Sequence, residues 1–267
     1  MRPQGSANAQ QRLHSEYPMN DDATHYLITF FEPLEFLAPA DPAATERALA
    51  NIPLDASSCI VDVGCGTGRQ TLQLLAETPA QVIASDLESS LLVELVQRAA
   101  STGAGNRLRT LTADMLALPV NEGSIDAVYA EGSIYCVGIE RALKAWYPLL
   151  KPGGYVCFSD AGFTTPNPPK EAVAFWQAEY PDMGTPESAK HIALAAGYNI
   201  IDEYWMVQSA WDNYYEPYAE RLASLKPQWQ ENPVAMDVLA SLEHELAMYR
   251  AYGDSYGYYF LVLQKAA

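Results

Sequence analysis

Positive charge is scarce in this chain. Of 267 residues only 16 are Lys or Arg, against 33 Asp or Glu, leaving a formal net charge of -17. Phosphate backbones and anionic lipid surfaces are held by clustered Lys and Arg, so the composition argues against nucleic acid or a membrane surface as partner. Long apolar runs are missing too: nothing approaches the ~18 residues of a membrane-spanning helix. Met1-Arg2-Pro3-Gln4-Gly5 leads into polar sequence, without the apolar stretch of a secretory signal. Cysteine is limited to Cys59, Cys65, Cys136 and Cys157, with no C-x-x-C pair. The expectation is therefore no metal site and reduced thiols, as in a cytoplasmic protein. The four histidines, His14, His25, His191 and His244, are too dispersed to form a ligand set.

Apolar residues, by contrast, make up 49% of the chain, enough for a packed core. The acidity is uneven: residues 1–41 sum to -4, residues 42–165 to -5 and residues 166–267 to -8. That last stretch also holds eleven of the seventeen Tyr and four of the five Trp.

Residues 1–20 are polar and aperiodic and are expected to form a mobile tail. The rest reads as one domain in three parts: an N-terminal lid over 21–41, a core over 42–165, and a C-terminal part over 166–267. In the core, Asp41-Pro42 starts a helix running to about Ala50. Strands are predicted at Cys59–Val63, Val82–Ser85, Leu108–Thr112, Ile125–Ala130 and Tyr155–Ser159. Helices are predicted at Gln70–Glu77, Glu88–Ala100 and Ile139–Leu150, the last ended by Lys151-Pro152-Gly153-Gly154. In Glu88–Ala100, residues Leu91, Leu92, Leu95, Val96 and Ala99 form the apolar side. Strand–helix alternation of this kind predicts an α/β fold, a parallel sheet with helices on both faces. Beyond the linker at 164–169, helices at Glu171–Glu179 and Ser188–Ala196 and a strand at Ile200–Val207 follow. Residues 212–252 read as a helical cap broken by Pro217, Pro227 and Pro233, and Gly257–Gln264 is a final strand.

The most informative segment is Val61-Asp62-Val63-Gly64-Cys65-Gly66-Thr67-Gly68-Arg69-Gln70-Thr71. It follows a strand and opens a helix, the context in which a glycine loop receives an anionic or nucleotide-type ligand. The dinucleotide fingerprint is G-x-G-x-x-G/A. Here the spacing is G-x-G-x-G, and Arg69 stands where the other motif needs Gly or Ala.

This loop resembles that of the class I S-adenosylmethionine (SAM) methyltransferases, in which an Asp, a Val or Ile and then Gly-Cys-Gly-Thr-Gly is a frequent form. The resemblance implies a Rossmann-like, mostly parallel seven-stranded sheet with an antiparallel last strand. It implies SAM as cofactor, with Asp62, Gly64, Cys65, Gly66, Thr67, Gly68 and Gln70 at the methionine end. Asp86, with Leu87 beside it, would meet the ribose hydroxyls, and Asp114-Met115 the adenine. Glu131-Gly132-Ser133-Ile134-Tyr135, after the fourth strand, would line the reaction centre, and Lys151-Pro152-Gly153-Gly154 is also typical. The Glu131–Tyr135 segment and the terminal Tyr256-Gly-Tyr-Tyr are similar to an uncharacterised bacterial group near the ubiquinone and menaquinone C-methyltransferases.

Methyl transfer from a sulfonium needs chiefly positioning, and a base only if the nucleophile holds its proton. Glu131, at the sheet's C-terminal edge, is a candidate for the SAM ammonium, for substrate or base work, or for a structural role. Tyr135 and His25 are the other catalytic candidates. Tyr26, Tyr135, Asp160, Trp176, Trp211 and Tyr214 are candidates for a substrate pocket, against the plainer reading of aromatics at helical spacing as core. Aromatic faces near acids favour a cationic or amine substrate, against the plainer reading that -8 over a largely exposed lobe is just a soluble surface. The partner is a small-molecule methyl acceptor, and monomer and homodimer both stay open. The competing readings are an NAD(P)-dependent oxidoreductase and a methyltransferase-like binding protein without catalysis.

Overall fold

The structure, a computed structural model, describes residues 21–266; the expected tail over 1–20 lies outside the described residues. Seven strands form one sheet in the order β3-β2-β1-β4-β5-β7-β6. They are β1 (Cys59–Val63), β2 (Gln81–Asp86), β3 (Leu108–Thr112), β4 (Ile125–Glu131), β5 (Leu150–Phe163), β6 (Tyr198–Trp205) and β7 (Tyr256–Lys265). β1 to β5 pair in parallel, and β7 runs antiparallel between β5 and β6. This is the Rossmann-like architecture expected from the sequence. Strand order reverses between β1 and β4, which opens a crevice at their carboxyl ends, where ligands bind in such sheets.

The central strands are covered on both faces, so they read as continuous apolar runs instead of alternating ones. Ile60, Val61 and Val63 of β1 and Ala127, Val128 and Ala130 of β4 are fully buried. Their covering helices are α1 (Asp21–Phe31), α2 (Pro42–Leu49), α3 (Arg69–Glu77), α4 (Ser89–Thr102), α5 (Ile139–Trp146), α6 (Lys170–Glu179) and α7 (Pro186–Ala195). α2 starts as expected, with Asp41 accepting from the Ala43 N–H at 2.9 Å. α4 buries Leu91, Leu92, Leu95 and Ala99, but Val96 is 47% exposed on its outer side. α2 is tied to the far edge of the sheet. Arg47 donates two 2.8 Å hydrogen bonds to Asp202 and lies 4.0 Å over the Tyr204 ring, and the Tyr204 hydroxyl donates to the Ala44 carbonyl.

Two boundaries differ from expectation. α5 stops at Trp146, with Tyr147 as its helical cap, because Pro148 has no N–H with which to continue the helical hydrogen bonds. Leu150 is already paired with Ile125, so Lys151-Pro152-Gly153-Gly154 lies inside β5 instead of ending a helix. The cap is two long helices, α8 (Ser209–Trp229) and α9 (Pro233–Tyr252). Pro233 does open a helix, after the Asn232 cap. Pro217 and Pro227, however, sit inside α8 without ending it. Tyr214, Tyr215, Tyr218, Leu222, Leu225 and Trp229 are all buried along α8, and that packing outweighs an interior proline cost of about 3 kcal/mol.

Pro217 is on the exposed side of α8, so its replacement disturbs no core contact. Pro217→Ala is expected to raise the unfolding free energy by about 1–3 kcal/mol in urea titrations, through a regained helical N–H. A loss of stability would refute this account of α8.

Candidate functional site

The glycine loop closes the carboxyl end of β1. The N–H groups of Gly64 and Cys65 both donate to the Ser85 carbonyl, at 2.8 and 3.1 Å, fastening the loop to the end of β2. Gly64 has φ +64° and Gly66 φ +54°, conformations that side chains rarely adopt. Space forbids a side chain as well: a Cβ on Gly64 would lie 2.5 Å from Ser133 Cβ, and one on Gly66 2.6 Å from Leu37. The loop then enters α3, whose free N–H groups point into the crevice.

The crevice is a cleft of about 700 Å3 counting its open mouth. Its walls include Gly64, Cys65, Gly66, Thr67, Gln70, Asp86, Met115, Glu131 and Tyr135 of the sequence-predicted set. A second, smaller compartment continues it, lined by Gly64, Asp86, Leu87, Ala113, Asp114, Met115, Cys136 and Val137. Gly64, Asp86, Met115 and Cys136 belong to both, so one elongated ligand can occupy the pair.

Asp86 stands at their junction and is 2% exposed. Its Oδ2 accepts from the Gly66 N–H at 2.8 Å and its Oδ1 from the Glu88 N–H at 2.9 Å. Each oxygen keeps a further lone pair, enough for a vicinal diol. Asp114 is exposed, with Oδ1 accepting from the Leu116 N–H at 2.8 Å, and Met115 lies beside it.

Glu131 ends β4 and is 9% exposed. Its oxygens accept from Thr45 Oγ1 at 3.0 and 3.1 Å, a contact made by α2. Burial is the main cause that pushes its carboxyl from 4.5 up to about 8, opposed by Thr45, Arg69 and Gln70 and assisted by Asp62. Arg69, the first residue of α3, lines the same cleft. Its guanidinium lies 4.5 Å over the Phe36 ring and donates to Gln73, while its Nε is buried with no hydrogen-bond partner among the described residues.

The predicted residues divide by position. Asp62 lies beneath the loop and does not line the cleft; its Oδ2 accepts from Thr71 Oγ1 at 2.5 Å, and burial pushes its carboxyl up to about 7. Gly68 caps α3. Cys65 is buried and its thiol is pushed well above its ordinary value, so it offers no thiolate. His25 is exposed, edge-on to Tyr26, whose ring meets Trp229; neither lines the cleft. Asp160, Trp176, Trp211 and Tyr214 are buried beyond the Tyr135 end, where Tyr135 meets Tyr180 at 5.8 Å. The sequence reading assigned no site role to Thr45, to Arg69 or, within the expected lid over 21–41, to Phe31, Glu35, Leu37 and Ala38 individually, all of which touch the cleft or its polar groups. Only Arg69 carried a signal, as the residue that follows the third glycine.

A carboxyl held near 8 in the folded chain but near 4.5 when unfolded keeps a proton that unfolding releases between those values. Its stabilising contribution is complete below about 4.5 and is lost as pH rises through about 8. The variant Glu131→Gln stays neutral throughout. Its stability relative to the parent is expected to rise between pH 5 and 8, read from chemical denaturation across that range. A pH-independent difference would refute the buried, proton-holding state of Glu131.

Comparison with known proteins agrees with this geometry. Residues 60–154 match a family model described as a methyltransferase domain. The chain is 36% identical over 117 residues to a malonyl-acyl-carrier-protein O-methyltransferase of Marinomonas sp. (strain MWYL1), covering 43% of this chain and 42% of that one. The aligned part thus spans less than half of that relative. A demethylmenaquinone methyltransferase of Thermus thermophilus is 28% identical over 216 residues, 70% of this chain and 92% of the relative. A SAM-dependent methyltransferase of Geobacter sulfurreducens, solved with S-adenosyl-L-homocysteine, superposes with a TM-score of 0.77. That superposition covers 90% of this chain and 97% of the other at 16% identity, a likeness of fold. In the sequence of residues 60–154 the chain is similar to a methyltransferase domain, and its fold is that of solved SAM-dependent methyltransferases.

Proposed function

We propose that the protein is an enzyme that transfers the methyl group of SAM to a small-molecule acceptor. The observation that carries this reading is the continuous pair of compartments at the β1/β4 crevice, joined at Asp86. The residues present fit SAM along its length. Met115, Leu87 and Val137 offer an apolar slot for the adenine, with Asp114 beside it to accept from the exocyclic amine. Asp86 accepts from the ribose hydroxyls with its remaining lone pairs. The Gly64 and Gly66 backbones leave the room that a Cβ would fill. The methionine end brings both a carboxylate and an ammonium. Arg69 Nε and the α3 N-terminus suit the carboxylate, and Glu131 suits the ammonium.

When bound, SAM supplies an activated methyl on a sulfonium. The protein's own share is to hold the two reactants in line and exclude water. Tyr135, which lines the larger compartment and not the adenine slot, borders the place where an acceptor would approach. The nicotinamide alternative is disfavoured by the G-x-G-x-G spacing and by the methyltransferase match over 60–154. Among the described residues no helix is long and apolar enough to cross a membrane, which agrees with an acceptor taken from water.

Titration calorimetry with SAM is expected to give a saturable isotherm. Folded protein that shows no heat at high micromolar SAM would overturn the reading. Asp86→Ala is expected to weaken SAM binding by ~1–3 kcal/mol, the loss of hydrogen bonds to a charged acceptor. An unchanged dissociation constant would remove Asp86 from the ribose role.

A further inference from the structure

Beyond Tyr135 two acids, Asp160 and Glu245, are met by tyrosine hydroxyls and by no ion pair among the described residues. Asp160, at the carboxyl end of β5, is 1% exposed. Its Oδ2 accepts from the Tyr180 hydroxyl at 3.0 Å and from that of Tyr259 at 3.4 Å, and its Oδ1 from the Ala161 N–H at 2.9 Å. On α9, Glu245 accepts from the hydroxyls of Tyr214, Tyr215 and Tyr218 at 3.3, 3.2 and 3.4 Å. Among the described residues neither carboxylate forms an ion pair; the ion pairs present all involve other acids. Tyr258 is 6% exposed and interacts electrostatically with Asp160, with Glu245 and with Cys136, a residue of the cofactor cleft. Asp160 is joined to the cleft through Tyr180 and Tyr135, and Glu245 to the neighbouring aromatic group through Tyr215, Trp211 and Tyr258. Burial pushes both carboxyls up to about 7.

The walls of this region are aromatic. Tyr135 faces Tyr180, Trp211 lies nearly parallel to Tyr215 and Tyr249 at 5.9 and 5.3 Å, those two being stacked on each other at 4.1 Å, and Tyr256 meets both Trp211 and Trp176 edge-on. Trp176 adds an independent observation. It is 8% exposed, yet its Nε1–H is buried with no hydrogen-bond partner among the described residues. A buried donor without an acceptor is costly, and native proteins retain few of them.

Buried carboxylates are ordinarily matched by a cation, since desolvating an ion costs several kcal/mol. Here no cation pairs with them among the described residues, aromatic faces that attract one are in place, and a spare N–H waits for an acceptor atom. We propose that the acceptor is a small amine bearing a hydroxyl, carbonyl or carboxylate group, taken as its ammonium ion between Asp160, Glu245 and the Tyr135–Tyr180 wall. This rests on the methyltransferase reading. Glu245 holds the ammonium, and the second polar group accepts from Trp176 Nε1. Asp160, the nearer acid to Cys136 and the cleft, takes one N–H proton. The freed nitrogen lone pair forms the N–C bond to the sulfonium methyl, and the C–S pair stays on sulfur. The products are a methylated ammonium and S-adenosylhomocysteine, and Asp160 returns its proton to water.

The test uses binding, with the full-length protein saturated with S-adenosylhomocysteine. Choline and tetramethylammonium are the cationic probes, and 3,3-dimethyl-1-butanol is the neutral match to choline. Tryptophan fluorescence and calorimetry are expected to show choline binding at least about tenfold more tightly than the neutral alcohol, as a desolvated cation over aromatic faces requires. Glu245→Gln and Asp160→Asn, each keeping shape and hydrogen bonds, are each expected to weaken choline about tenfold or more while S-adenosylhomocysteine affinity stays unchanged. Trp176→Phe is expected to remove the preference for choline over tetramethylammonium. Equal binding of the neutral alcohol, unchanged choline affinity in both acid variants, or no cation binding by protein that binds S-adenosylhomocysteine would overturn the amine proposal alone. Failure to bind S-adenosylhomocysteine would overturn the methyltransferase reading and the amine proposal together.

Discussion

The 2.8 Å hydrogen bond from the Gly66 N–H to Asp86 is the constraint on which the cleft depends. It spans the carboxyl ends of β1 and β2 and holds a left-handed loop at a fixed distance from a carboxylate. The loop could not be held this way with a side chain at Gly64 or Gly66, because Ser133 and Leu37 already occupy that space. The same carboxylate stands between the smaller compartment and the larger one and borders both. A single buried acid thus shapes the backbone that surrounds a ligand and also offers that ligand two acceptors.

Burial sets the second theme. Asp62, Glu131, Asp160 and Glu245 all have carboxyls pushed upward chiefly by desolvation. Asp62 is answered by Thr71 alone and serves the loop from below. Glu131 faces Arg69 across the cleft, so a ligand with both signs of charge can complete the pair. Asp160 faces two tyrosine hydroxyls and the Ala161 N–H, Glu245 faces three tyrosine hydroxyls, and neither forms an ion pair among the described residues. The acidity of residues 166–267 is thus not all surface: part of it is turned inward among tyrosines, where solubility gives no reason for it.

The legibility of the sequence follows the physics of each region. β1 and β3 end where their apolar runs end, and α2 starts at its capping Asp, because local rules and tertiary packing agree there. The glycine loop was legible because its spacing is a backbone requirement. α8 was not: Pro217 and Pro227 read as breaks, and only the row of buried aromatics, invisible in one dimension, keeps the helix whole. Val96 misled because a helix face is wider than the contact it makes. Thr45, Leu37 and Ala38 gave no signal, since their role comes from where α2 and the segment before it come to rest. The aromatic acids of the C-terminal part showed a composition, and only packing distinguishes a core tyrosine from one that faces a carboxylate.

The clamp on α2 has a consequence for the order in which the molecule can be built. Thr45 reaches Glu131 only while α2 is seated, and α2 is seated by Arg47 on Asp202 and by the Tyr204 hydroxyl on Ala44. The partners that fasten residues 44–47 are therefore made more than a hundred and fifty residues later. A chain emerging from a ribosome carries the glycine loop and Asp86 well before it carries β6, and contacts of such separation form late. The polar wall at Glu131 is completed only after the aromatic part has been synthesised, so a growing chain has no finished cleft to offer.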